Sequence, residues 1–133
     1  MKIVIDTNVV ISGIFFNGFP RRIIEAVVDD KLEAFTSEDI ILEYQEIVSE
    51  MIDRKQGKLD HNILDFFISK LHFVDKKSNV KISRDQDDNK FINCALDSKS
   101  LFVVSGDNDL LVIKKYEDIE IITAAEFCKK FLQ

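Results

Sequence analysis

Leu101-Phe102-Val103-Val104-Ser105-Gly106-Asp107-Asn108-Asp109 is the stretch on which the fold turns. Its nearly continuous apolar start leaves no solvated face, the mark of a strand buried on both sides. Gly106 to Asp109 then reads as a turn into a helix carrying Leu110, Leu111 and Ile113. The chain opens in the same way: Lys2 to Ile5 is a short buried strand ending at Asp6, and Thr7 to Phe16 is a short helix. Two strands of this kind, each followed by an acid and a helix, point to a parallel sheet, because parallel strands need crossover connections.

The intervening sequence extends the alternation. Phe19-Pro20 marks a new start, since proline is tolerated in a first helical turn. Arg21 to Asp30 places Ile23, Ile24, Val27 and Val28 at helical spacing, and Leu32 to Phe35 is a second strand. Thr36-Ser37-Glu38-Asp39 signals a helix start. That helix runs to about Arg54 with the stripe Ile40, Tyr44, Ile47, Val48 and Met51, and Gly57 helps to end it. Asp60 caps another helix through Leu71, with Ile63, Phe66, Phe67 and Leu71 expected to face inward. Phe73 to Ile82 reads as strand and loop, and a helix after Asn89 bears Phe91, Ile92, Ala95 and Leu96. Ile119 to Ile122 is a last strand, and Thr123-Ala124-Ala125-Glu126 fits a capping box before the final helix. The expected fold is α/β: one three-layer α/β/α domain over residues 1–133 with a mostly parallel central sheet.

Composition supports a packed enzyme-sized domain. Of 133 residues, 46% are hydrophobic, with 11 Phe, 4 Gly and 1 Pro, which argues against disorder or a flexible linker. No apolar run approaches the roughly 20 residues of a membrane span. The first strand reaches a carboxylate too soon for a signal core, so a cytoplasmic protein is expected. Cys94 and Cys128 lie far apart in helix-like patterns and read as reduced core thiols. The net charge of −6 sits awkwardly with a nucleic-acid partner. Local basic pairs offset it: Arg21-Arg22, Arg54-Lys55 with Lys58, Lys76-Lys77 and Lys114-Lys115.

Sites in open parallel sheets form beyond the carboxyl ends of the strands. Asp6 ends the first strand and Asp107 follows the strand Leu101 to Ser105, so both enter one crevice if those strands are neighbours. Asp88 precedes Phe91, Ile92 and Ala95 by three, four and seven residues, on the buried side of its helix. Glu43 lies three after Ile40 and four before Ile47, at the edge of its helix's apolar stripe. Each acid also has a plainer reading, as a cap, a turn residue or a solvated helix position; Asp109 serves equally as cap or metal contact. Converging carboxylates repel one another, and a divalent cation resolves the conflict. Oxygen donors without His or Cys suit Mg²⁺ or Mn²⁺. His61 and His72 fall in another region and read as surface or core residues.

Four blocks, Asp6-Thr7-Asn8, Glu43, Arg84-Asp85-Gln86-Asp87-Asp88-Asn89-Lys90-Phe91 and Val104-Ser105-Gly106-Asp107-Asn108-Asp109-Leu110-Leu111, resemble the PIN-domain nucleases in order and separation. The likeness runs from Lys2 to the last helix and is nearest the toxin components of toxin–antitoxin systems. It implies a PIN-like fold and an endoribonuclease using one or two Mg²⁺ or Mn²⁺ ions, leaving 5′-phosphate and 3′-hydroxyl ends. Asp6, Glu43, Asp88 and Asp107 would be the catalytic metal-binding acids. Asn8 and Ser105 would be polar supports, and Asp109 an auxiliary. It also implies an RNA substrate, a cognate antitoxin protein and a homodimer. One departure is Asn89, where some relatives carry a further Asp; the third acid then lies among Asp85, Asp87 and Asp88, and helix alignment selects Asp88.

Two other readings compete. A metal-dependent phosphatase of small substrates also uses acids at strand ends, but its nucleophilic Asp usually has a second Asp two residues on, and here Asn8 stands there. A non-catalytic acidic binding module would fit the net charge and would bind neither Mg²⁺ nor Mn²⁺.

Overall fold

A computed structural model describes residues 1–54 and 61–132; Lys55, Gly57, Lys58, Asp60 and the side chain of His61 lie outside that description. The chain runs β1 (Lys2–Ile5), α1 (Thr7–Phe15), α2 (Phe19–Val28), β2 (Glu33–Thr36), α3 (Glu38–Arg54), α4 (His61–Ser69) and β3 (His72–Phe73). A 3₁₀ turn (Gln86–Asp88) leads into α5 (Asn89–Ser98), then β4 (Phe102–Val104), α6 (Asn108–Leu111), β5 (Lys115–Tyr116), β6 (Ile119–Ile122) and α7 (Ala124–Phe131).

The strands form one sheet in the order β3-β2-β1-β4-β6-β5, parallel except for the hairpin pair β5–β6. The α/β expectation of a mostly parallel sheet flanked by helices therefore holds. Ile3, Val4 and Ile5 point alternately to opposite faces, yet all three are buried. Helices must therefore cover both faces, and each such side chain contributes about 1.5–3 kcal/mol of burial. Cys94 and Cys128 are buried free thiols, as expected.

Winding proceeds from β1 to β2 on one side and to β4 on the other, so the switch point falls between β1 and β4. Ile5 pairs with Val104, and Val104 with Ile122. The Asp6 amide donates to the Val104 carbonyl at 2.9 Å, and the Ser105 amide to the Ile122 carbonyl at 2.9 Å. Asp6 and Ser105 thus leave the sheet at one level, side by side.

Three helix packings fix what surrounds that point. Gly13 lets α1 touch α2: a Cβ there would lie 2.4 Å from Ile24 Cγ1 and 2.8 Å from the Pro20 carbonyl oxygen. Tyr44 is buried and its hydroxyl donates to the Ile5 carbonyl at 2.5 Å, pinning α3 to the end of β1. Helix α5 lies against β1, β2 and β4. Its polar side carries Asn89, Asn93 and Asp97, four residues apart, which hold the preceding loop. Asn89 Oδ1 accepts from the Ile82 and Ser83 amides, Asn93 Oδ1 from the Val80 amide, and Asp97 from the Lys77 and Ser78 amides. Burial pushes the Asp97 carboxyl up, but these donors outweigh it and hold its pKa low.

Some expectations need correction. Helix α4 buries Leu64 and Phe67, whereas Ile63 and Phe66 are 50% and 53% exposed. Its two apolar stripes share the same spacing, so periodicity alone could not choose between them. Helix α2 does begin at Phe19 with Pro20 in its first turn, as the Phe19-Pro20 signal led one to expect. The pair Lys114-Lys115 lies in a hairpin, where Lys115 pairs with Glu120 and Lys114 adopts φ 64°, and both residues are exposed, as a solvated basic pair would be.

Candidate metal centre

Asp6 is the buried corner of the site, 4% exposed. It occupies the N-cap position of α1, yet its carboxylate makes no capping bond. Instead Oδ2 accepts the Ser105 hydroxyl at 2.6 Å. Ser105 is fully buried, and its Oγ also accepts the Asp107 amide at 3.0 Å, so one hydroxyl ties the ends of β1 and β4 together. Burial raises the Asp6 pKa; hydrogen bonds from Ser105 and the Thr7 amide oppose this, and the charges of Asp107 and Glu43 add to it.

Asp107 is half-buried and caps α6, with Oδ1 accepting the Asp109 amide at 2.9 Å. Capping occupies that oxygen and leaves the other. Asp88 closes the site from the start of α5, below Phe91, Ile92 and Ala95, all fully buried. Asp88 is itself 8% exposed, whereas Asp85 and Asp87 are exposed. It stands at an N-cap position without capping, and its Oδ2 has no hydrogen-bond partner among the described residues. Its pKa is pushed up to about 8, first by burial, then by a shared proton with Asp107 and the charges of Asp107, Asp6 and Asp85. A buried carboxylate oxygen without a donor is costly. An incoming cation would relieve that cost.

Glu43 reaches the same place from α3. The Thr7 hydroxyl donates to its Oε2, and Lys90 Nζ lies 2.8 Å from its Oε1. Its charge is felt at Asp6. Asp6, Asp88 and Asp107 therefore act on one another at the ends of β1 and β4, and Glu43 adjoins them through its charge at Asp6. Asp109 sits on the outer side, paired with Arg84 at 2.9 Å. Asn8 projects to solvent from the first turn of α1 and joins none of these bonds among the described residues.

Sequence reasoning missed Thr7, Lys90 and Arg84. The first follows Asp6 directly and the other two flank the acidic block, so proximity to an acid was the available signal. It also placed Tyr44 only in a core stripe, because a hydroxyl's partner cannot be read from helical spacing. Asn89, which interrupts the acidic block, holds the backbone in place: it is buried, and its side-chain oxygen accepts two backbone amides. A cleft of about 300 Å³ adjoins the Glu43–Lys90 pair and is lined by Lys76, Lys81 and Lys90 among others.

A sequence model of the PIN domain matches residues 2–109, a span that includes every acid of the site. The chain belongs to the PIN domain family. An uncharacterized protein of Methanocaldococcus jannaschii is 35% identical, the match covering 98% of this chain and 92% of that protein. The solved structure of VapBC2 from Rickettsia felis bound to a DNA fragment from their promoter is similar in fold, with a TM-score of 0.64 and 15% identity. That match covers 92% of this chain and 98% of the other. Within the PIN fold, the switch point between β1 and β4 is where Asp6, Asp88 and Asp107 meet. Among the described residues, no helix is long and apolar enough to cross a membrane.

Proposed function

We propose that this PIN-domain protein is a metal-dependent ribonuclease that hydrolyses RNA phosphodiester bonds, acting as the toxin of a toxin–antitoxin pair. The observation that carries the reading is Asp88, a nearly buried carboxylate with an unpartnered oxygen, set among Asp6, Asp107 and Glu43. An all-carboxylate donor set fits Mg²⁺ or Mn²⁺.

Asp6 and Asp107 would hold the ion, with Asp88 and Glu43 acting directly or through water. Such an ion lowers the pKa of a bound water and offsets charge developing on the phosphate. The Ser105 hydroxyl holds the Asp6 carboxylate in one orientation, and the α6 cap does the same for Asp107. Asp88, whose carboxyl is raised by burial and by Asp107, would give up its proton on binding such an ion. Lys90 holds Glu43 and, with Lys76 and Lys81, lines the cleft along which a phosphate backbone would lie. Lys76, Lys81 and Lys90, which line that cleft together with Asp39 and Asp87, are the basic groups through which a chain of net charge −6 would gather RNA.

Likeness in fold to VapBC2, with the toxin-like order of the acidic blocks, supports a cognate antitoxin; the homodimer rests on the resemblance to the family alone. RNA cleavage in Mg²⁺ or Mn²⁺ tests the chemistry. Cleavage by wild type that survives unchanged in folded Asp6→Asn and Asp107→Asn chains would remove the site. Release of phosphate from small phosphomonoesters with RNA intact would replace the ribonuclease with a phosphatase.

A further inference from the structure

We propose that Asp97 and Asn93 are positioning residues for the RNA backbone: from the polar side of α5 they hold the stretch 77–80 as a fixed arm that sets Lys76 and Lys81 over the cleft. The proposal rests on the RNA reading of that cleft. Among the described residues, 75–84 make no backbone–backbone hydrogen bond, so neither sheet nor helix shapes this stretch. Its backbone is bonded instead to side chains four residues apart on α5, which therefore share one face. Asp97 accepts the Lys77 amide at 2.9 Å through Oδ2, and the Ser78 amide at 2.9 Å and hydroxyl at 2.6 Å through Oδ1. Asn93 is buried and treats Val80 as a neighbouring strand would. Its Oδ1 accepts the Val80 amide at 2.8 Å, and its Nδ2 donates to the Val80 carbonyl at 3.3 Å.

The anchored peptides adjoin the lysines of the cleft. Lys77 and Ser78 follow Lys76 directly, and Val80 precedes Lys81. Lys76 and Lys81 are exposed and line the cleft from the arm, while Lys90 lines it from α5 itself. One helix thus sets all three cations in one frame, and the same helix begins next to Asp88. A lysine is a point charge on a flexible stem. Fixing its backbone beforehand removes part of the ordering cost that each phosphate contact otherwise carries. Asp97 stands outside the cleft, so its effect on RNA passes through the arm. A ladder with a merely structural role would cost stability and leave RNA affinity unchanged.

Fluorescence anisotropy of a single-stranded oligoribonucleotide in EDTA reads binding by the full chain without turnover, and steady-state cleavage in Mn²⁺ separates KM from kcat. Asp97→Ala is expected to weaken RNA binding and raise KM by about 5–20-fold, the ordering cost of two long side chains, with kcat within about twofold of wild type. Asp97→Asn keeps one oxygen for the Ser78 donors and loses the acceptor of the Lys77 amide, so its loss is expected to be smaller. In a Lys76→Met/Lys81→Met chain, Asp97→Ala is expected to add less than about twofold, because the cations it positions are gone. Wild-type affinity in Asp97→Ala, or the same fold-loss with and without the two lysines, would overturn the proposal. Should Asp97→Ala not fold, Asp97→Asn decides in the same cycle. RNA cut with a KM that Asp97→Ala leaves unchanged would remove the arm and keep the nuclease; RNA bound with the expected loss yet never cut would do the reverse.

Discussion

Replacing Asp88 with asparagine is expected to remove the main pH dependence of stability near neutrality while abolishing RNA cleavage. The Asp88 carboxyl has its pKa pushed up to about 8 in the folded chain, from an ordinary 3.8. A raised carboxyl binds its proton more tightly folded than unfolded. Its protonation therefore favours folding at low pH, and that contribution is lost as pH rises through the folded pKa. The loss accumulates at about 1.4 kcal/mol per pH unit between the unfolded and folded values. From about pH 6 to about pH 8.5 the ion-free protein should lose about 2–3 kcal/mol. Asp6, also raised, works in the same direction; Asp97, lowered, loses its contribution only as pH falls through its own folded value, on the acid side of this window. Asparagine keeps an N–H to donate to Asp107 and carries no charge to bury. Urea unfolding in EDTA at the two pH values measures both chains. Wild-type stability that is flat or rising across the window would refute the reasoning, as would an Asp88→Asn chain with the full wild-type slope.

Other perturbations follow from the same geometry. Asp6→Asn and Asp107→Asn should each cut RNA cleavage by about 100-fold or more, since either removes a carboxylate that would hold the cation offsetting charge on the reacting phosphate; circular dichroism confirms the fold, and near-normal rates would exclude these acids. Lys90→Met should destabilise the ion-free protein by about 1–3 kcal/mol, because Glu43 is left partly buried with only the Thr7 hydroxyl. That deficit should narrow in Mn²⁺, and thermal melting with and without the ion detects it; an unchanged melting temperature in EDTA would show that the pair is idle. Gly13→Ala should cost about 1–3 kcal/mol, since the added methyl meets Ile24 and the rigid Pro20 carbonyl. A more stable protein would mean that α1 and α2 separate freely.

Local pattern was enough for most of the framework. The runs Lys2 to Ile5 and Leu101 to Ser105 declared themselves because buried parallel strands need apolar residues on both faces. Asp6, Asp88 and Asp107 were legible because each follows a strand or begins a helix at a fixed angle to its buried stripe. Periodicity failed on α4, where Ile63/Phe66 and Leu64/Phe67 have equal spacing and only α3 packing against that helix distinguishes them. It also missed β5, a two-residue edge strand that exists only because β6 offers it partners.

What the sequence determined by itself is the alternation of elements and the set of acids at their ends, since both follow from contacts a few residues apart. What only the tertiary structure decided is adjacency. That β1 lies beside β4, that Ser105 bonds to Asp6, that Thr7 and Lys90 both claim Glu43, and that Arg84 sits on Asp109 all depend on pairings between distant segments. Such pairings are settled by how the two faces of the sheet are filled, a choice made by the whole packed core and by no single stretch of chain.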